Sequence, residues 1–147
     1  TIKQVFDAFN STKNAGIEIL AYFMIGSPGE GKTEVMETIE LSKRLKPDFV
    51  SYSITTPFPM TDLYRLALEK GIIKNDVWLE FAKNPQNNFK TPMWEEKLNR
   101  KQIEQLTAYA YKSFYTRPSY ILSKLARIRS FSELKRKVSA GLKVMSV

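Results

Sequence analysis

The sequence predicts an α/β protein built on parallel strands, followed by a helical C-terminal region. Three observations predict it. Strand-like apolar runs alternate with helical periodicities through the first half of the chain. A glycine-rich turn joins the first strand to a helix. The second half holds only helical patterns, set off by an irregular proline-containing stretch. The order helix, strand, helix, strand requires parallel strands with covering helices. Two strands make no self-standing sheet, and parallel sheets are normally covered on both faces. The first half therefore reads as part of a larger α/β domain. The chain opens on Thr1 rather than Met, and the expectation is that this start is an artificial boundary or a processed end.

Each element has its own signal. Residues 2–15 read as a helix, with Val5, Ala8, Phe9 and Ala15 near one face and Gly16 as the stop. Residues 17–25, IEILAYFMI, have strand composition. Residues 26–31 form a turn. A helix follows over 32–46 with Val35, Ile39 and Leu45 inward, ended by Pro47 because the residue before proline avoids helical geometry. Residues 49–54, FVSYSI, form the second strand and run into Thr55-Thr56-Pro57-Phe58-Pro59. Residues 62–70 are helical up to Gly71, 76–83 form a short helix, and 85–94 form a crossing loop. From Asn99, Ile103, Leu106, Ala110 and Phe114 recur at helical spacing. Arg117-Pro118 breaks that helix, and 119–129 and 131–144 read as two more. The chain thus divides into the end of an α/β domain (1–75), an irregular connection (76–98) and a helical region (99–147).

Composition narrows the chemistry. The 147 residues suffice for a core. No apolar run reaches the ~20 residues that span a bilayer, and no signal peptide is visible. The expected location is the cytoplasm, with a peripheral membrane contact as the alternative. There is no Cys and no His. That excludes, within these residues, a disulfide framework, a Cys or His metal site, a His-dependent triad and a thiol nucleophile. No catalytic residue and no metal ligand is assigned. The net charge of +8 is uneven: residues 116–147 hold eight Lys/Arg against Glu133 alone.

Residues 26–33, GSPGEGKT, match the phosphate-loop pattern G-x-x-x-x-G-K-[ST]. In that reading backbone amides cradle phosphate, Lys32 reaches the β/γ-phosphates and Thr33 ligates magnesium. The acid such a site needs at the end of a neighbouring strand is missing: FVSYSI ends in Thr55 and Thr56, Asp48 precedes the strand, and Asp62 lies beyond two prolines. A plain βα turn without a ligand fits the same letters. There Gly26 and Gly29 supply unusual backbone angles, and Glu30 sits favourably near the helix N-terminus.

Three segments in order resemble one family: AGIEILAYFMIGSPGEGKTEVMETIELSKRL, KPDFVSYSITTPFPMTDLYRLALEKGII and AYAYKSFYTRPSYILSKL. Together they resemble the C-terminal half of a radical S-adenosylmethionine (SAM) enzyme. The likeness is greatest to the branch with an N-terminal cobalamin-binding domain, which holds anaerobic cyclases and methyltransferases. Its spelling is a hydrophobic strand, G-x-P-G-E-[ST], a helix, P-D, a second strand, then T-P-[FY]-P-[GM]-T-x-L-Y. The tail element F-Y-x-R-P-x-Y matches Phe114, Tyr115, Arg117, Pro118 and Tyr120. Gly31 stands where the family often has Thr, and that departure creates the phosphate-loop spelling.

The resemblance implies the last two strands of a partial (β/α)6 barrel, with both strand ends on the active-site rim. It implies that Ile25 and the Gly26 backbone border the adenine of SAM. Gly29, Glu30, Thr55, Thr56 and Pro57 would supply polar contacts or orient the backbone. It implies SAM and a [4Fe-4S] cluster in the full-length parent, with cobalamin in this branch, and a small-molecule or lipid substrate. The family's cluster motif, Cys-x3-Cys-x2-Cys, is absent here, so neither cluster binding nor SAM cleavage is expected of this chain alone.

In the tail, Phe131, Leu134, Val138, Leu142 and Met145 form one stripe among Lys135, Arg136, Lys137 and Lys143. Packing on the barrel, lying on an anionic membrane surface and nucleic-acid binding compete, the last without a recognisable reading module. Tyr109, Tyr111, Phe114, Tyr115 and Tyr120 are expected to pack the tail helices together. Trp78 and Trp94 are expected to be core or loop anchors.

Overall fold

The structure is a computed structural model and describes residues 1–126. The order is α1 (Ile2–Asn14), β1 (Leu20–Ile25), α2 (Lys32–Leu45), β2 (Phe49–Ile54), α3 (Asp62–Glu69), α4 (Val77–Lys83), α5 (Arg100–Tyr115) and α6 (Pro118–Leu125). The helix expected over 131–144, with its basic stripe, lies outside the described residues, as do residues 127–129 of the helix expected over 119–129.

Local chemistry sets the boundaries. Thr1 and Gln4 form a capping box on α1, and Gly16 takes φ +75° just past its end. β1 begins later than the apolar run predicts. The Ile17 N–H still bonds Thr12, and the Ile19 N–H is taken by the Asp48 carboxylate at 3.1 Å. α2 stops at Leu45, with Lys46 left-handed before Pro47. Asn99 and Gln102 cap α5 reciprocally, and Pro118 opens α6, where its missing N–H costs nothing.

β1 and β2 pair in parallel, from Leu20↔Phe49 to Ile25↔Ile54. Side chains alternate between the two faces. Ala21, Ile25, Val50 and Tyr52 are buried in one cluster with Val35 and Ile39 of α2 and Ile103, Ala110 and Phe114 of α5. On the opposite face Leu20, Tyr22, Met24 and Phe49 are exposed. The buried Ser42–Tyr52 polar pair in the core is satisfied. Ser42 Oγ donates to Ile39 O at 2.6 Å and also bonds the Tyr52 hydroxyl. α1 contributes less than its pattern predicts: Phe9 packs against the core, but none of its residues is buried and Val5 stays exposed.

Helices α5 and α6 run along the outer edge of β2. Tyr111 Oη accepts the Tyr52 N–H (2.9 Å) and donates to Tyr52 O (3.2 Å). Tyr115 Oη does the same with Val50 (3.1 and 3.0 Å). Tyr120 Oη donates to Asp48 O at 3.0 Å. Arg117 lies over the Phe114 ring, 4.2 Å from its centre, and donates to Phe114 O and Lys43 O. Lys124 pairs with Asp48 at 3.1 Å, both largely shielded from water. Tyr111, Phe114, Tyr115 and Tyr120 therefore pack the tail helices, as expected, and Tyr111 and Tyr115 also bond the strand backbone; Tyr109 instead stays exposed.

A second small core joins Tyr64, Ala67, Ile73 and Trp94. Both tryptophans are anchors. Trp94 is buried and its backbone N–H donates to Thr55 O, while Trp78 Nε1 donates to Pro57 O at 2.9 Å.

Candidate functional site

The C-terminal ends of the two strands meet. The ladder continues one step past β2, with the Thr55 N–H on Ile25 O at 2.8 Å. Ser27 Oγ lies 3.3 Å from Thr55 Oγ1 and ties the glycine turn to the second strand end. Gly26 is buried at φ +78°, and an added Cβ would meet Ile103 Cδ1 at 3.4 Å. Glycine is required there for its backbone angle.

Every N–H of the turn is already bonded. Glu30 folds back so that Oε2 accepts the Gly26 N–H (2.6 Å) and the Ser27 N–H (2.9 Å). Pro28 has no N–H. The Gly29 N–H donates to Glu96 Oε2 at 2.8 Å. The Glu30 N–H donates to Ser27 O, and the Gly31 N–H to Glu34 Oε2 at 2.8 Å. A phosphate loop needs these donors free and pointing at an anion. Here three carboxylates hold four of them, and Lys32 and Thr33 are exposed at the start of α2. The phosphate-loop spelling is therefore not a phosphate site in this fold: the donors are spent, and the carboxylates repel a polyphosphate.

Glu96 is the hub of the arrangement. It accepts from Gly29 N and Trp94 Nε1 (3.0 Å) through one oxygen and from Lys70 Nζ (2.9 Å) through the other. These bonds, the Trp94 indole first, then Lys70 and Gly29, hold its carboxyl down at about 2 against an ordinary 4.5. A carboxyl depressed on folding stabilises the protein above its unfolded pKa and loses that contribution as pH falls toward the folded value. Thermal melts should therefore show stability lost between pH 4.5 and about 2. Glu96→Gln should flatten that part of the profile. Equal slopes in the two proteins would show that Glu96 does not hold the turn.

The residues expected at the SAM rim divide in two. Ile25, Gly26, Thr55 and Pro57 are buried, whereas Gly29, Glu30 and Thr56 reach the surface. The Ile25 side chain is fully enclosed in the core with Val35, Ile39 and Ile103. Its position in the strand turns the side chain toward the helices. Thr56 Oγ1 bonds back to Ile54 O at 3.2 Å. Beyond Pro57, the rings of Phe58, Trp78, Phe89 and Phe81 follow one another at 5.5, 5.2 and 4.2 Å. Sequence reasoning missed Glu96, Lys70 and Glu34. The spacing of Gly31 and Glu34 carried a capping signal; nothing local pointed to Glu96.

Two curated proteins are similar to this chain. It is 30% identical over 144 residues to an uncharacterized methyltransferase of Pyrococcus horikoshii, across 98% of this chain and 30% of that protein. It is 25% identical over 122 residues to the anaerobic magnesium-protoporphyrin IX monomethyl ester cyclase of Rubrivivax gelatinosus, across 82% of this chain and 20% of that protein. The chain spans less than a third of the length of these relatives. No family model matches it. Among the described residues there is no group of His, Cys, Asp and Glu that could hold a metal ion, and no helix long and apolar enough to cross a membrane.

Proposed function

We propose that this chain is the C-terminal part of a radical SAM enzyme of the cobalamin-associated branch, the end of its partial (β/α)6 barrel, and that it supplies part of the SAM-binding rim. The observation that carries the reading is the contact of the two strand ends. Ser27 and Thr55, 28 positions apart, lie side by side, so GSPGE and TTPFP form one polar rim. Ligands of open parallel sheets bind at that end of the strands. The rim's chemistry fits SAM better than a triphosphate. Its amides are consumed, and its carboxylates and carbonyls suit a sulfonium cation and an exocyclic amine. Gly29, Glu30 and Thr56 are the residues open to such a ligand; Ile25, Gly26, Thr55 and Pro57 fix the backbone beneath them.

The names of the relatives, a methyltransferase and a cyclase, support methyl transfer or cyclisation, and the substrate in this reading is a small molecule or a lipid. An iron–sulfur cluster held by other residues of the parent enzyme would supply the electron-transfer chemistry at SAM. With no Cys, this chain does not hold the cluster; its own part is to bind and orient SAM.

The test compares two polypeptides after anaerobic reconstitution. The 147-residue chain should show no iron–sulfur absorption and no SAM cleavage. A longer polypeptide carrying the upstream residues should show both, and Lys32→Ala should leave its SAM affinity unchanged. A parent sequence without Cys-x3-Cys-x2-Cys overturns the assignment. Micromolar ATP–magnesium binding by this chain, abolished by Lys32→Ala, would restore the nucleotide reading.

A further inference from the structure

We propose that the outward face of α6 lies on an anionic phospholipid membrane, and that the basic residues following it in the chain hold it there. The proposal does not depend on the SAM reading, and either can fail without the other.

α6 is an amphipathic helix mounted with its apolar side out. It runs from Pro118 to Leu125, and none of its residues is buried. Tyr120 and Lys124 fix it to the sheet. The Tyr120 hydroxyl donates to Asp48 O at 3.0 Å, and its ring lies 5.3 Å from those of Phe114 and Tyr115. Lys124 Nζ pairs with Asp48 at 3.1 Å and sits 4.5 Å from the centre of the Phe49 ring. Pro118, Ile121, Leu122 and Leu125 recur at helical spacing on the other side. All four are exposed, the last three by 44%, 66% and 47%. A surface helix of a globular domain turns such a stripe toward the core. Here a phenol and an ion pair face the sheet, and the aliphatic side chains face away.

Charge and area together point to a membrane as the occupant. Residues 127–147 follow α6 with six Lys/Arg against Glu133 alone. Arg127 and Arg129 come two and four positions after Leu125, so in any arrangement the chain keeps them within roughly 14 Å of it. Aliphatic side chains beside cations match the boundary between acyl chains and anionic headgroups. Nucleic acid would match the charge and leave the stripe in water. The stripe is also small. A helix of eight residues is about 12 Å long and about 10 Å wide. That footprint falls far short of the ~800 Å² each partner gives to a stable protein complex. A bilayer sets no such minimum, because buried apolar area and headgroup attraction add.

The contact leaves the rim clear. α6 is fixed at Asp48, just ahead of β2, whereas Thr55 and Thr56 follow the other end of that strand. The six residues of β2 separate the two by roughly 20 Å. Membrane attachment and SAM binding therefore use opposite ends of the strand.

Vesicle co-sedimentation of the longer polypeptide tests this, with equimolar phosphatidylglycerol and phosphatidylcholine against phosphatidylcholine alone. Binding is expected to the first and not the second. It should weaken by about tenfold or more between about 0.1 and 1 M salt, as the screening length falls from about 10 to 3 Å. Ile121→Ser, Leu122→Ser and Leu125→Ser together should weaken it by about tenfold or more, with melting midpoint and SAM affinity unchanged. Arg127→Gln with Arg129→Gln should weaken it about 25-fold, roughly fivefold per charge. Brominated acyl chains should quench Leu122→Trp emission more than wild-type emission, a readout that stands even where the serine variant unfolds. Equal binding to both vesicle types, or binding to neither, overturns the proposal. Undiminished binding by the folded serine variant, or no added quenching in Leu122→Trp, places the membrane contact elsewhere and overturns it too. Oligonucleotide binding without vesicle binding would assign the basic tail to nucleic acid. A dimer that the serine variant dissociates, again without vesicle binding, would assign the face to a second copy.

Discussion

Phe114→Ala is expected to remove about 3–5 kcal/mol of folding stability. A domain of ordinary stability holds roughly 5–15 kcal/mol, so the loss is a large share of the whole. Phe114 is fully buried in the main core. Its ring contacts those of Tyr115 and Tyr120 at 5.1 and 5.3 Å and carries the Arg117 guanidinium on its face. Truncation leaves a cavity and removes the platform from which Arg117 reaches Lys43 O. Phe114→Leu keeps most of the volume and should cost under about 1.5 kcal/mol. Urea denaturation would show the alanine variant as a lower midpoint with an unchanged slope. A loss below about 1 kcal/mol for alanine would contradict the docking of α5 on the sheet.

Glu30→Ala is the second large effect, and it separates shape from charge in the turn. The carboxylate accepts two backbone N–H groups, one from buried Gly26. Hydrogen bonds to a charged acceptor contribute about 1.5–3 kcal/mol each, and an orphaned buried donor adds its desolvation cost. Because the two bonds share one carboxylate, a loss of roughly 2–4 kcal/mol is expected. In the longer polypeptide, SAM affinity should fall with it. Glu30→Gln keeps an acceptor of the same shape and should fall between alanine and wild type in both measurements. Lys32→Ala, two positions on, should change neither. Wild-type SAM affinity in Glu30→Ala would remove this turn from the rim.

Most of the fold was legible because its signals are local. Gly16, Pro47, Gly71 and Pro118 stop or start helices through their own backbone chemistry, Asn99 starts one through its side-chain cap, and the second strand fell where FVSYSI predicted. β1 was harder. An apolar run does not distinguish residues in the ladder from those bonded elsewhere: the Ile17 N–H is held by the end of α1 and the Ile19 N–H by the Asp48 carboxylate. The site was legible as a turn but not as a set of bonds. The letters of GSPGEGKT cannot say where its amides point. That was decided by Glu30 and Glu34 close by and by Glu96, 67 positions beyond Gly29. The tyrosines were half legible. Their helical spacing placed Tyr111 and Tyr115 on one face, but that their hydroxyls would bond a strand depended on how α5 crosses the sheet.

The hydroxyl contacts along β2 also set a schedule. They come from residues made long after the strand they complete. At about 5–20 residues per second, the stretch from Ile54 to Tyr120 takes on the order of 3–13 s to synthesise. Through that interval the nascent chain carries β2 with its outer edge uncovered. A ribosome stalled before Tyr111, or a transcript cut there, would release a product open at that edge for good. Helices α5 and α6 act as a late closure, and premature termination inside α5 should produce aggregates rather than a shorter folded protein.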